Sequence, residues 1–341
     1  MWTIQKGWVF KKISRGSAHS PVKVLVRAQG SAAEYPWAAE TMTARAEAVE
    51  YWLECDVPGS TCAGGKAGEL PMPGLTISGI KGLTGPLPLP LNGAVAQQVA
   101  AAAQQAPHGK GMKTVVDTSV RNTLQIDPSR VGFLNPAWQP ALDGLVAKVA
   151  EELGVPARSV RCELYKALLY EKGGFFKPHR DTEKAGGMFA TLVVQLPSSF
   201  SGGEFVVRHG GEERTFTLGA DTGESSFSCY YAAHYADCEH EIKKVKDGHR
   251  FVLVYSLCWT GDGGAPSAAD TGAVSQLGAK LSALPKREQL LVYPLEHQYT
   301  TSSLGRLGVG ALKGRDRALQ VALQAANRRW LGLLPGHRLA H

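Results

Sequence analysis

His179, Asp181, His240 and Arg250 are the side chains of this 341-residue chain whose types and spacing could do chemistry. His179 and Asp181 form an H-x-D dyad, His240 follows it after 59 residues, and Arg250 comes ten residues later. Two imidazoles and one carboxylate make the ligand set that holds a non-haem Fe(II) ion on one face. The opposite positions stay open for a co-substrate and dioxygen. An always-charged guanidinium just beyond the last ligand suits the far end of a dicarboxylate co-substrate. The pattern therefore argues for an oxygenase, with His179, Asp181 and His240 as catalytic metal ligands.

Local geometry supports the dyad. One intervening residue on an extended backbone puts His179 and Asp181 on the same face and turns Arg180 away. Pro178 restricts Lys177 to extended backbone. A structural zinc site would need a fourth ligand, and Cys238, two residues before His240, is the main candidate for closing one. His234 shares parity with His240 and is the rival third ligand. It lacks the Val245–Gly248–Arg250 succession behind it. His209, beside Gly210 and Gly211, reads as a solvated turn residue.

These residues need strands to position them. Residues 56–92 carry repeated Pro and Gly and read as linker and loop, with a short strand at Leu75–Ile77. Ala94–Ala106 is Ala/Gln-rich and predicts a helix. Thr114–Ile126 alternates and is β-branched, so it predicts a strand or hairpin. Pro140–Leu153 places apolar residues at helical spacing, with Gly154 as a stop. Seven short β runs follow: Cys162–Glu171, Phe189–Leu196, Glu204–Arg208, Arg214–Leu218, Ser226–Ala232, Glu239–Val245 and Arg250–Leu257. Gly-rich turns, with Gly248 among them, separate runs that have no helices between them. The expected fold is mainly β (α+β), an antiparallel jelly roll with the two upstream helices on one outer face. A Gly/Ala/Ser linker (261–273), a helix, a strand at Gln289–Tyr293 and a helix at Asp316–Trp330 complete the chain. The expected domains are 1–33, a loop-rich flank 34–110, the catalytic domain 111–258 and a basic extension 259–341.

Charge is unevenly spread. Against +7 overall, residues 1–33 hold six basic residues and no acid, and residues 276–341 are +7, which leaves 34–275 at −6. An acidic body argues against an active site that grips nucleic acid. The first 33 residues resemble an organelle transit peptide processed near Val26-Arg27-Ala28, with an ordinary disordered basic terminus as the alternative. Location is therefore expected to be intracellular, organellar or cytoplasmic. No stretch reaches the length of a membrane span. The six cysteines form no disulfide scaffold, four lie in apolar or strand-like runs, and Cys55 with Cys62 matches no redox motif.

Four segments carry a family resemblance: Leu164–Glu183, Phe189–Pro197, Gly202–Val207 and His240–Leu257. Together they resemble the double-stranded β-helix core of prolyl 4-hydroxylase-type Fe(II)/2-oxoglutarate-dependent dioxygenases, over roughly residues 160–258. The resemblance implies Fe(II) held by His179, Asp181 and His240, with 2-oxoglutarate and O₂ as co-substrates and ascorbate as an accessory. It implies that Arg250 pairs with the far carboxylate of 2-oxoglutarate, that the Tyr170 hydroxyl contacts the co-substrate, and that Thr191 gives a second polar contact. It further implies hydroxylation of a C–H bond, on a protein or peptide, with 2-oxoglutarate decarboxylated to succinate and CO₂. Two features depart from the pattern or lie outside it. Phe176 stands where relatives often have tyrosine, and Val116–Ile126, with Arg121 and Asn122, occupies the place of a substrate-lining strand without a certifying motif. A nucleic-acid or small-molecule oxygenase and an inactive β-barrel for sensing or assembly are the alternatives. Nucleic-acid demethylating relatives usually add an Arg six residues after the first, where this chain has Ser256.

Overall fold

The computed structural model describes residues 60–260 except 111, 112 and 183, together with 2–5, 8–13, 22–27, 274, 290–294, 296–299, 303 and 307–330. The chain divides into two compact units, 60–260 in one, 1–59 with 261–341 in the other.

The 60–260 unit is built on two facing antiparallel sheets. The strands of these two sheets, in chain order, are β1 (Cys62–Lys66), β2 (Gln104–Gln105), β3 (Arg121–Asn122), β4 (Leu124–Ile126), β5 (Val160–Tyr170) and β6 (Phe175–His179). Then come β7 (Met188–Gln195), β8 (Phe205–His209), β9 (Glu212–Phe216), β10 (Tyr230–Tyr235), β11 (Glu239–Ile242) and β12 (Arg250–Trp259). The larger sheet has the order β1-β10-β7-β12-β5-β4-β2, and the smaller β9-β8-β11-β6-β3. The fold is thus mostly β, a jelly roll of the double-stranded β-helix type.

Sequence pattern explains the layers. Every residue of β7 (MFATLVVQ) and of β10 (YYAAHY) is buried. A central strand covered on both faces reads as a continuous apolar run rather than an alternating one. One face of these strands meets helix α2 (Trp138–Glu152): Tyr231 reaches the Glu152 carboxylate (3.1 Å), and Tyr235 donates to the Leu153 carbonyl (2.6 Å). Helix α1 (Gly93–Ala102), its N-terminus capped by Asn92, also packs on this sheet, as expected of the two helices. The opposite face, carrying Thr191, Val193, His234 and Arg250, lines the space between the sheets.

Some boundaries differ from the sequence reading. Helix α1 ends at Ala102 because Gln104 and Gln105 pair with Gln125 and Leu124 in the sheet, which overrides Ala/Gln helix propensity. Thr114–Ile126 is not one strand. It resolves into the end of a His108–Lys110/Lys113–Val115 hairpin and then β3 and β4. Ser226–Ala232 begins late, at Tyr230, after a 3₁₀ turn at Glu224–Ser226. Glu239–Val245 splits into β11 and a separate strand Val245–Gly248. Cys62–Lys66, read as loop, is a strand hydrogen-bonded to β10, within the compact unit Ser60–Thr260.

In the other unit, Trp2–Gln5, Trp8–Ile13 and Val22–Arg27 form an antiparallel sheet, joined in parallel by Leu290–Pro294. These stretches are strands; the rest of residues 1–33 lies outside the described residues. Helix Gly314–Trp330 closes the described part of this unit. Residues 261–273 and the helix expected after them lie outside the described residues, save Val274. Among the described residues no helix is long and apolar enough to cross a membrane.

Candidate active site

The β6–β11 ladder brings the two expected imidazoles together. His179 and His240 are direct cross-strand partners, and their rings lie 4.1 Å apart. Asp181 follows β6, and its backbone N–H donates to the Ala236 carbonyl (3.0 Å), which fixes the chain beyond the dyad. One ligand atom each from His179, Asp181 and His240 fall within 4.8 Å of one another. The three expected ligands therefore converge.

Their tautomers are set by the backbone. His179 Nδ1 lies 2.8 Å from the Lys177 carbonyl and His240 Nδ1 3.1 Å from the Cys238 carbonyl. A carbonyl oxygen only accepts, so each Nδ1 carries the proton and each Nε2 presents a lone pair to the centre. That is the usual support for a metal-binding histidine. Burial holds both imidazoles down to about 4, so they are neutral near pH 7 and competent as ligands. Burial works to raise the Asp181 carboxyl. His240, His234, His179 and the Thr191 hydroxyl outweigh it and hold it near about 2. The set is two neutral nitrogens and an anionic oxygen, which fits a divalent ion of the Fe(II) type.

Phe176 stacks on His179 at 3.4 Å between ring centroids, and the Arg121 guanidinium sits over Phe176 at 4.5 Å. Phe205 packs edge-on to His240 at 5.8 Å. The imidazoles are thereby fixed by aromatic packing as well as by hydrogen bonds.

Arg250 is fully buried. Its Nε donates to Gln195 Oε1 (3.0 Å), while Nη1 and Nη2 have no partner. Gln195 is itself held by the Leu218 carbonyl (2.8 Å). Burial pulls the guanidinium down to about 10, still cationic near pH 7. Buried guanidinium nitrogens left without a partner cost about 1–3 kcal/mol per group or more. An anionic ligand that takes both removes that penalty. Tyr170 is the cross-strand partner of Arg250, with the guanidinium 5.5 Å from its ring. Both line the same cavity of about 520 Å³ as the three metal-ligand candidates.

Thr191 donates its hydroxyl to Asp181 Oδ2 at 2.6 Å. Its polar contact is thus made to the carboxylate ligand. Arg180, expected to turn away, is exposed at the cavity's edge. His209 is not a solvated turn residue: its Nε2 lies 3.5 Å from Asp237 Oδ2 and little of it is exposed. The Cys238 thiol meets the Thr61 carbonyl (3.6 Å), and the described cysteines are all free thiols. Cys55 lies outside the described residues.

Comparisons with solved structures return, among others, prolyl hydroxylases, a protein of the 2OG-Fe(II) oxygenase family and a non-heme alpha ketoglutarate dependent epimerase. A Pseudomonas putida prolyl-4-hydroxylase is 16% identical, over 62% of this chain and 98% of that one, with a TM-score of 0.37. An oxidoreductase of the 2OG-Fe(II) oxygenase family from Burkholderia pseudomallei is 18% identical over 49% and 80%, at 0.30. A Trichoplax adhaerens prolyl hydroxylase, in complex with a hypoxia inducible factor oxygen degradation domain peptide fragment, is 12% identical over 48% and 74%, at 0.34. No family model and no curated protein matches the chain. At such identities and scores, its chemistry has to be argued from its own residues.

One site residue escaped sequence reasoning, and another was read there only as a rival ligand. Gln195 ends an apolar strand with no motif around it, and only its bond to Arg250 gives it meaning. His234 was ranked below His240, yet its ring lies 4.0 Å from that of His240.

Proposed function

We propose that this protein is an Fe(II)- and 2-oxoglutarate-dependent dioxygenase that hydroxylates a C–H bond of an acidic protein or peptide. The observation that carries this reading is one cavity holding both a three-ligand facial set and a buried guanidinium with two bare nitrogens. His179, Asp181 and His240 would hold the iron, which when bound supplies oxygen activation coupled to decarboxylation of 2-oxoglutarate. Arg250, oriented by Gln195, grips the far carboxylate of the co-substrate, and Tyr170 offers a hydroxyl beside it. Thr191 aligns the Asp181 carboxylate. Val252, Val254 and Phe205 line the cavity with apolar surface and help keep water out.

The substrate preference follows from the rest of the lining. Arg121, Lys166, Arg180 and Lys184 line this cavity, against the carboxylates Asp117 and Asp181. Burial, reinforced by Arg121 and Lys184, depresses the Lys166 ammonium to about 8, and it stays largely protonated near pH 7. Such a cation cluster favours a substrate carrying carboxylates near the reacting carbon. The test is succinate formation from 2-oxoglutarate by the Fe(II)-loaded protein with ascorbate, over acidic, neutral and basic peptides and oligonucleotides. Stimulation by acidic peptides, reduced about tenfold or more in Lys166→Met, is the expected result. Stimulation by basic peptides or oligonucleotides alone would refute the substrate class, and no turnover in any mixture would refute the enzymatic reading.

A further inference from the structure

Tyr165 and Lys166 are consecutive, yet both line the cavity that holds His179, Asp181 and His240. On a regular strand, neighbours point to opposite faces. Here the β5–β12 register shifts between Leu164 and Lys166, and Tyr165 is the extra residue of a β-bulge. Bulges beside active sites re-aim side chains in this way. Lys166 Nζ lies 4.2 Å over the Tyr165 ring and donates to Gln125 Oε1 at 2.8 Å. That neutral amide oxygen is its one hydrogen-bond partner among the described residues. An ammonium has three N–H donors, so two are left for a ligand.

Burial sorts the charges of this cavity. Arg121, Lys166 and Arg250 are buried, whereas Arg180, Lys184 and Asp117 are exposed at its edge. Three buried cations therefore share the interior with one half-buried carboxylate, Asp181. Fe(II) and the 2-oxoglutarate dianion carry equal and opposite charge, so their binding leaves the excess of cations in place. Buried charge without a counter-charge is costly. A group that meets Lys166 has to sit on a side chain that enters the cavity. Carboxylates elsewhere on a bound peptide would meet only Arg180 and Lys184 at the edge. A neutral side chain such as that of proline would leave the excess standing.

We propose that the hydroxylated residue is itself acidic, an aspartyl or glutamyl side chain whose carboxylate is received by Lys166. This rests on the reading of the cavity as a dioxygenase site and names the reacting residue within the acidic substrate. One oxygen atom of O₂ enters a substrate C–H bond, which becomes C–O–H. The other ends in the new carboxylate of succinate as 2-oxoglutarate loses CO₂. The substrate carboxylate is an anchor and leaves unchanged, while Tyr165 and Gln125 hold the ammonium that binds it.

The probes are neutral peptides with one central Asp, Glu, Asn or Pro, and a fifth with a central Pro between two Glu residues. The Fe(II)-loaded full chain receives each with 2-oxoglutarate, O₂ and ascorbate; succinate is measured, and mass spectrometry locates any added oxygen. It is expected on Asp or Glu. Calorimetry without air, on the full chain loaded with Co(II) and 2-oxoglutarate, should show the Asp or Glu peptide binding about tenfold or more tighter than the Asn peptide. Lys166→Met should remove that difference. Oxygen found only on proline or asparagine, succinate without oxygen on any peptide, or equal binding of the acidic and Asn peptides would overturn the acidic reacting residue. Each of these leaves the dioxygenase reading standing. No succinate in any mixture would overturn both. The measurements on the unaltered protein decide the matter even if Lys166→Met fails to fold.

Discussion

Replacing Arg250 by Met should separate binding from stability. In the folded protein the guanidinium is fully buried, one nitrogen is bonded to Gln195, and two nitrogens face the cavity unpaired. A dicarboxylate that bonds both gains a desolvated, charge-assisted pair. Losing one partner of such a pair costs about 2–5 kcal/mol, which at about 1.4 kcal/mol per decade weakens 2-oxoglutarate binding about 30- to 4,000-fold. Stability should respond differently. Removing an unpaired buried charge relieves its desolvation penalty, and orphaning Gln195 Oε1 offsets this by about 1–3 kcal/mol. The ligand-free variant should therefore melt close to the unaltered protein. At 2-oxoglutarate equal to 100 times its dissociation constant, the Fe(II)-loaded unaltered protein gains about 2.7 kcal/mol. Arg250→Met should gain about 0.9 kcal/mol or less at that concentration. Anaerobic calorimetric titration and thermal melts measure both. An unchanged 2-oxoglutarate affinity, or a loss of several kcal/mol in the ligand-free variant, would refute the reasoning.

Thr191→Val removes the hydroxyl that aligns Asp181 and should lower Co(II) affinity about 10- to 100-fold with the fold intact, read by chelator competition; unchanged affinity would rule out the aligning role. The metal-free protein should lose stability as pH falls from about 6.5 to about 4. His179, His240 and His234 have depressed values, so the unfolded chain binds their protons first, at up to about 1.4 kcal/mol per pH unit each. Denaturant midpoints that stay flat between pH 7 and 5 would contradict this. Gly248→Ala should destabilise by more than about 3 kcal/mol, because Gly248 has φ +75° and an added Cβ would lie 2.1 Å from the Ser199 carbonyl oxygen. A melting temperature equal to the unaltered protein's would show that this turn can move.

What the sequence determined alone is what local geometry controls. The H-x-D spacing marks His179 and Asp181 as a ligand pair, although the strand ends at His179 and the Ala236 carbonyl fixes Asp181 beyond it, and the β-branched and Gly-punctuated runs from residue 160 dictate antiparallel strands. Strand β6 was harder to see, since FFKPH neither alternates nor is β-branched. It exists because Phe176 and His179 pair with Ile242 and His240 on a strand more than 60 residues away. Gln195 and Thr191 are ordinary strand residues until the fold sets one on the Arg250 guanidinium and the other on the Asp181 carboxylate. His234 shows the boundary most clearly. Parity along the chain compares it with His240 as if both lay on one strand, and on one strand only one of them is needed. In the structure the chain crosses from the larger sheet to the smaller between Tyr235 and Glu239, so the two imidazoles stand on different sheets. Period-two side-chain direction is a property of a single strand; which walls face each other is settled only by the pairing of distant strands.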